Sequence, residues 1–234
     1  MITVRPAAAR GHANLGWLDT RYSFSFANYY DLKHMGFRDL RVINEDVVQA
    51  ETGFGLHPHH NMEIITYIVD GELSHRDSMG REATLKQHDV QRMSAGTGIL
   101  HSEYNNSQQP VHLLQIWILP EAEGLKPSYE DLTVPAAEKR NALRLLASRE
   151  GGDNSVKINQ DVSVYASLLD PDRNLELPLG PGRHAWVQVV RGDLDVNGTR
   201  LVKGDGAAIS DEGRVKIANV GRNGEAELLL FDLA

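Results

Sequence analysis

Short runs in which apolar and polar residues alternate dominate the chain, and turn residues close them. Ile64 to Val69 ends at Asp70-Gly71, and Val111 to Leu119 stops at Pro120. Val187 to Val190 runs into Arg191-Gly192, Leu194 to Val196 runs into Asn197-Gly198, and Glu227 to Phe231 reads as the final strand. Alternation with a period of two marks half-buried strands, and Asp-Gly or Asn-Gly between them marks tight hairpins. Turn signals return about every 8–12 residues, the rhythm of a β-sandwich or barrel. Helical periodicity is scarce; a short segment after Pro135, Ala136 to Arg140, is the best candidate for a helix. The chain is expected to be all-β, built from antiparallel sandwiches or barrels.

The stretch 121–135 is polar, holds Gly124, Pro127 and Pro135, and reads as a linker between an N-terminal domain (1–120) and a C-terminal one (136–234). An internal repeat supports two halves. Gly71-Glu72-Leu73, Asp89 and Ser94 in the first half correspond to Gly192-Asp193-Leu194, Asp205 and Ser210 in the second. The hairpin between the glycine and the aspartate is shorter in the second half.

Composition narrows the function classes. In 234 residues, 41% are hydrophobic and 24% charged, ordinary for a globular protein of one large or two small domains. The net charge of −8, without a long basic run, disfavours nucleic-acid binding through phosphate contacts. There is no cysteine, so disulfides, iron–sulfur clusters and thiolate zinc sites are excluded. The N-terminal residues lack the apolar core of a signal peptide, and no apolar run approaches the roughly 20 residues of a membrane span. A cytoplasmic, soluble protein with no membrane partner is the expectation.

Two phrases carry chemistry. His57-Pro58-His59 and His101-Ser102-Glu103 each place two metal-type ligands at i and i+2. On a strand such side chains share a face. On facing strands the two pairs would aim three imidazoles and a carboxylate at one point. That sulfur-free set suits iron, manganese, nickel, copper or zinc. Glu63 shares parity with the first pair and is the competing carboxylate. His60 should face away, His112 reads as a satisfied core histidine, and His75 has no evident partner. Counting the repeat offsets from Gly192 and Ser210 puts Pro178, Gly180, Ile217 and Asn219 at the places of His57, His59, His101 and Glu103, so the second half should hold no metal.

These phrases resemble the two motifs of the cupins: Gly53, His57-Pro58-His59, Glu63 and Gly71 for the first, and Gly96-Thr97-Gly98, His101 and Asn105 for the second. More narrowly the chain is similar to the pirins, through Gly11-His12-Ala13, Phe24-Ser25-Phe26, Asp77-Ser78-Met79-Gly80, Met93 to Gly98 and His101-Ser102-Glu103. Its first half is close to bacterial pirin-like proteins with quercetinase activity. The resemblance implies a bicupin of two jelly-roll barrels with one live site. It implies one divalent transition metal per chain, favouring Fe(II) with Ni, Mn, Co, Cu or Zn as substitutes, held by His57, His59, His101 and Glu103. It also implies cleavage of a flavonol such as quercetin by O2, with Glu103 as base, in a pocket walled by residues such as Phe54, Met62, Ile64 and Leu114. The other implied role is a non-enzymatic, redox-responsive iron protein that regulates through a protein partner.

Overall fold

The computed structural model describes residues 1–152, 154–221 and 224–234. In chain order the strands are β1 (Ile2–Arg5), β2 (Gly11–Asn14), β3 (Leu18–Tyr22), β4 (Leu40–Val48), β5 (Thr52–His59), β6 (Glu63–Asp70), β7 (Glu72–Asp77) and β8 (Glu82–Lys86). They continue with β9 (Asp89–Ser94), β10 (Ile99–Asn105), β11 (Val111–Ile118), β12 (Ser128–Thr133), β13 (Arg144–Ser148), β14 (Val156–Lys157) and β15 (Val162–Leu169). The last are β16 (Asn174–Pro178), β17 (His184–Arg191), β18 (Leu194–Val196), β19 (Thr199–Leu201), β20 (Gly206–Ile209), β21 (Arg214–Asn219) and β22 (Ala226–Leu233). The helix α1 (Ala136–Lys139) follows Pro135 as expected and makes a single turn. No described helix is long and apolar enough to cross a membrane.

The residues form two compact units. The first comprises Gly11–Thr133 and Glu150–Gln160; the second comprises Met1–Arg10, Val134–Arg149 and Asp161–Ala234. This partition differs from the boundaries read off the sequence. Residues 1–10 join the second unit, where β1 pairs with β20. The stretch 121–135 contains β12, paired with β9 from Ser128 opposite Ser94 to Thr133 opposite Asp89. Polar residues flanked by prolines suit a sheet edge as well as a linker, and β12 is the edge strand of its sheet.

Each unit is an antiparallel two-sheet sandwich. In the first, the larger sheet runs β12-β9-β6-β11-β4-β3-β2 and the smaller β5-β10-β7-β8. In the second, the larger sheet runs β1-β20-β17-β22-β15-β13 and the smaller β16-β21-β18-β19. Apart from β2, the two orders match strand for strand, with non-sequential neighbours typical of jelly rolls. Asn197 (φ 47°) and Gly198 (φ 82°) supply the positive dihedrals of the tight turn between β18 and β19, the geometry an Asn-Gly pair favours.

Side-chain bonds fix the equivalence of the halves. Asn105 Nδ2 donates to Val48 O at the end of β4 (3.1 Å), and Asn219 Nδ2 donates to Leu169 O at the end of β15 (2.7 Å). Each Oδ1 accepts the backbone N–H two residues on, from Ser107 (3.0 Å) and Gly221 (2.9 Å). Asn105 therefore corresponds to Asn219, Glu103 to Ile217 and His101 to Val215. His101 stands opposite His57, and Val215 opposite Leu177. The counterparts of His57 and His59 are thus Leu177 and Leu179. This corrects the sequence offsets, which gave Pro178, Gly180, Ile217 and Asn219. The path from Ser210 to Val215 is two residues shorter than that from Ser94 to His101, and counting from Gly192 slips by one.

All four counterparts are aliphatic and pack in one continuous apolar core that fills the second sandwich. The first sandwich is different. One apolar group gathers Leu18, Val48, Ile68, Leu73, Leu85, Val111 and Leu113; another gathers Ile64, Met93, Ala95 and Ile99. Between them on the same strands lies a polar belt. Gln91, Thr66, Gln115, Asn44 and Tyr22 are successive register partners across the larger sheet. Phe54, Glu103 and His75 form one row of the smaller sheet, and His57, His101 and Asp77 form the next.

Close approach of β5 to β10 depends on Gly53. A Cβ there would lie 2.2 Å from Glu103 O and 2.6 Å from Tyr104 Cα, whereas a Cβ on Gly55 would meet nothing within 4 Å. Gly53→Ala is expected to destabilise the metal-free protein by about 1–3 kcal/mol through overpacking. Gly55→Ala should leave it nearly unchanged. Thermal unfolding of the two variants checks this, and equal midpoints would show that the strand pair has slack.

Candidate metal centre

β5 presents His57 and His59 on one face, and the antiparallel register with β10 sets His101 directly across from His57. The rings converge: centroids lie 4.8 Å apart for His57 and His59, 4.3 Å for His57 and His101, and 4.9 Å for His59 and His101. One nitrogen from each lies within 4.8 Å of the others. His57 Nδ1–H donates to Gly55 O at 2.7 Å, which leaves its Nε2 with a free lone pair. His101 is fully buried, and its Nε2 has no hydrogen-bond partner. A buried nitrogen without a partner costs about 1–3 kcal/mol unless something occupies its lone pair. Three imidazole nitrogens facing one point, one of them orphaned, fit a divalent transition-metal ion.

Glu103 follows His101 by two residues and also faces inward. The register shifts between them, so Glu103 stands opposite Phe54, with one extra residue on β5. This bulge sets Glu103 apart from the first pair: it clusters with His101 and His75, again within 4.8 Å, and not with His57 and His59. Its Oε2 accepts from Gln115 Nε2 at 3.0 Å and its Oε1 from Thr66 Oγ1 at 3.4 Å. Burial pushes its carboxyl up to about 7, with nearby Asp46 adding to the rise and the two hydrogen bonds opposing it. Burial, with the neighbouring imidazoles behind it, pulls His101 down to about 2 and His59 to about 4. Both rings are therefore neutral and ready to coordinate at physiological pH.

Glu63, the other carboxylate, is buried elsewhere: its Oε1 accepts from Ser94 Oγ (2.6 Å) and Asn159 Nδ2 (3.1 Å), and it joins neither cluster. His60 is exposed, and His112 pairs with Glu45 at 3.1 Å. His75 departs from expectation, because its ring lies beside His101, with Nδ1 atoms 3.5 Å apart, and it bonds Asp77. A signal for it was present: His75 and Asp77 stand at i and i+2, the spacing that singles out the other two pairs.

His57 and His59 open onto a cavity of about 360 Å³ within the first unit. Its walls are largely aromatic, with Trp17, Tyr22, Phe26, Phe54 and Trp117, and Asn44, Asp46, Thr20 and Gln115 supply polar points. Trp117 stands edge-on to His59, 4.9 Å between centroids, and Trp17 edge-on to Phe54 at 5.1 Å. Of the four expected wall residues, Phe54 is in place. Ile64 packs with Met93, Ala95 and Ile99, with Met62 against them. Leu114 alternates with Gln115 and so faces away from the cavity. The tryptophans and Tyr22 were not anticipated; those on β3 and β11 share parity with cavity-facing neighbours, but parity alone does not say which face holds a cavity.

Known proteins share this architecture. A model of the Pirin family matches residues 3–118, and one of the quercetinase C-terminal cupin domain matches 145–233. The chain is 46% identical to quercetin 2,3-dioxygenase of Escherichia coli (strain K12), covering 100% of this chain and 99% of that protein. It is 38% identical to a pirin-like protein of Caulobacter vibrioides over 100% of both. Among solved structures, the bacterial pirin YhhW of Escherichia coli in complex with nickel(II) matches with a TM-score of 0.93 and 45% identity over 100% of this chain and 99% of that one. A quercetin 2,3-dioxygenase from Acinetobacter baumannii shares the fold with a TM-score of 0.75 at 21% identity, covering 98% of this chain and 85% of that one.

The opposed shifts within the cluster give a pH signature in metal-free protein. Unfolded imidazoles take protons near 6.5, whereas folded His59 and His101 refuse them until about 4 and about 2, so their contribution to stability falls as pH drops below 6.5. Glu103 has the reverse sign: folded, it binds its proton near 7, and unfolded near 4.5, so it adds stability as pH falls between those values. Glu103→Gln removes that offset. Urea midpoints of the metal-free variant are expected to fall more steeply from pH 7 to 4.5 than those of the parent protein. Parallel slopes would show that Glu103 stays ionised throughout.

Proposed function

The chain belongs to the pirin family, and from that premise we propose that His57, His59 and His101 hold one divalent transition-metal ion and that the adjoining cavity takes a flavonol such as quercetin for cleavage by O2. The protein is an oxidoreductase of the quercetin 2,3-dioxygenase type. The observation that carries the metal assignment is the buried, unpartnered Nε2 of His101, whose ring converges with those of His57 and His59. Glu103 completes the proposed ligand set from the strand position next to His101. Fe(II) is the proposed native ion; the nitrogen and oxygen donors also accept Ni, Mn, Co, Cu or Zn.

When bound, such an ion supplies Lewis acidity toward a substrate hydroxyl and a path for electrons toward O2. The remaining work falls to side chains. Tyr22, Phe26, Phe54 and the two tryptophans offer flat apolar faces for a fused aromatic ring system and keep water out. Asn44 and Gln115 provide hydrogen bonds at the inner end, where they orient a polar edge of the substrate. Glu103 is the proposed base: it would accept the proton of the flavonol hydroxyl at a carboxylate oxygen, and Gln115 and Thr66 hold it in place. Asp46 lines the cavity itself and is the rival for that task. Removing the proton makes the ring electron-rich, which ring opening by O2 requires.

Anaerobic reconstitution with Fe, Mn, Ni, Co or Cu, followed by quercetin loss under air, tests the reading; no turnover with any of them would sink it. His59→Ala is expected to lose both bound metal and turnover while the fold survives, as read by elemental analysis and circular dichroism. Glu103→Gln should lower kcat by roughly 10²–10⁴-fold. A small effect there with a large one in Asp46→Asn would transfer the base to Asp46.

A further inference from the structure

A second buried pair stands behind His101. On β7, Asp77 lies opposite His101 and His75 opposite Glu103 in the register with β10. The side chains of His75 and Asp77 are both fully shielded from solvent. Asp77 is rigidly held, because its Oδ1 accepts the backbone N–H groups of Met79 (2.8 Å) and Arg81 (3.1 Å) across the turn that follows β7. Its Oδ2 lies 3.2 Å from His75 Nε2. The opposite edge of the same imidazole meets two nitrogen atoms: Gln91 Nε2 at 3.1 Å and His101 Nδ1 at 3.5 Å. Tyr129 covers the ring, 5.0 Å between centroids and tilted by 38°.

Donor and acceptor accounting then fixes the protons. Asp77 already accepts two backbone N–H groups, and as an acceptor at Oδ2 too it takes the proton-bearing Nε2 of His75 as donor. His75 Nδ1 is left with a lone pair, which the Gln91 amide and His101 Nδ1–H share as donors. His101 carries its proton on Nδ1, and its Nε2 is bare. That Nε2 is buried without a partner, on one of the three rings that converge. The chain of bonds thus runs from a backbone-anchored carboxylate through one histidine to a second, and ends at the unpartnered Nε2 of a ring 4.3 Å from that of His57 and 4.9 Å from that of His59.

We propose that Asp77 and His75 are positioning residues for the metal centre: they impose the Nδ1–H tautomer on His101 and hold its ring so that Nε2 is presented to the ion. A carboxylate behind a ligating histidine commonly orients it and raises its basicity; here the carboxylate acts one histidine further out. The proposal rests on the reading of His101 as a ligand. It also gives His75 a definite place, outside the ligand set though its own nitrogen lies within reach of His101 and Glu103.

Two measurements test it without relying on turnover. In metal-free parent protein labelled with ¹⁵N-histidine, imidazole NMR is expected to show His75 as the Nε2–H tautomer and His101 as the Nδ1–H tautomer. His101 observed as Nε2–H would overturn the proposal, whether or not any variant folds. In chelator competition with Ni(II), Asp77→Asn and His75→Gln should still saturate with one ion per chain but bind it about 10- to 100-fold more weakly. In Asp77→Asn the His101 signals should report both tautomers. Parent-like affinity in folded Asp77→Asn would refute a positioning role, and complete loss of binding in folded His75→Gln would make His75 a ligand instead. Failure of the underlying metal reading looks different: His59→Ala and His101→Ala would then bind Ni(II) no worse than the parent.

Discussion

Antiparallel pairing between β5 and β10 is the constraint on which the site depends. One strand carries two histidines at alternate positions, the other a histidine and a glutamate, and only one register brings three rings together. Sliding either strand by a single residue would turn these side chains to the opposite face. Several features hold that register. Gly53 lets the backbones touch, the Asn105 side chain ties the end of β10 to β4, and the following turn is closed through the same side chain. The extra residue on β5 between the pairings of His101 and Glu103 then separates the tasks of the two. His101 meets the other rings, and Glu103 is set back among Thr66, Gln115 and His75.

The same pairing explains why the first sandwich has a divided interior. Imidazoles and carboxylates cannot sit in a core without partners, since each unpaired polar group costs on the order of a lost hydrogen bond or more. The fold meets this by lining the facing sheet with a matching row. Gln91 serves His75, Thr66 and Gln115 serve Glu103, and Asn44 stands next along the same row. Charge is kept low by burial itself, which favours neutral His59 and His101 and raises the carboxyl of Glu103. Low charge, in turn, is what lets three basic rings share one small space.

Much of this was legible in the residues. Alternation and turn dipeptides gave the all-β class, and ligand types two apart on a strand gave His57, His59, His101 and Glu103 as one group of inward-facing side chains. The repeat was visible in glycine, aspartate and serine landmarks. Its fine alignment was not, because a path shortened by two residues leaves no mark in a pattern of common residues; only the bonds of Asn105 and Asn219 fix it. The edge strand β12 looked like a linker since polar residues and prolines serve both. The bulge, and with it the pairing of Glu103 to Thr66 and Gln115, depends on contacts between distant strands, which local spacing does not encode. His75 and Asp77 obey the spacing rule, yet their meaning comes from β10 lying alongside.

The aliphatic substitutes in the second sandwich have a thermodynamic consequence. Leu177, Leu179, Val215 and Ile217 make that half's stability a matter of apolar burial, which no ion concentration alters. The first half contains the unpartnered Nε2 of His101 and gains stability by mass action whenever a ligand ion binds its folded form alone. The proposed ion would therefore stabilise the first unit alone, since the aliphatic side chains at the equivalent positions of the second offer no donor.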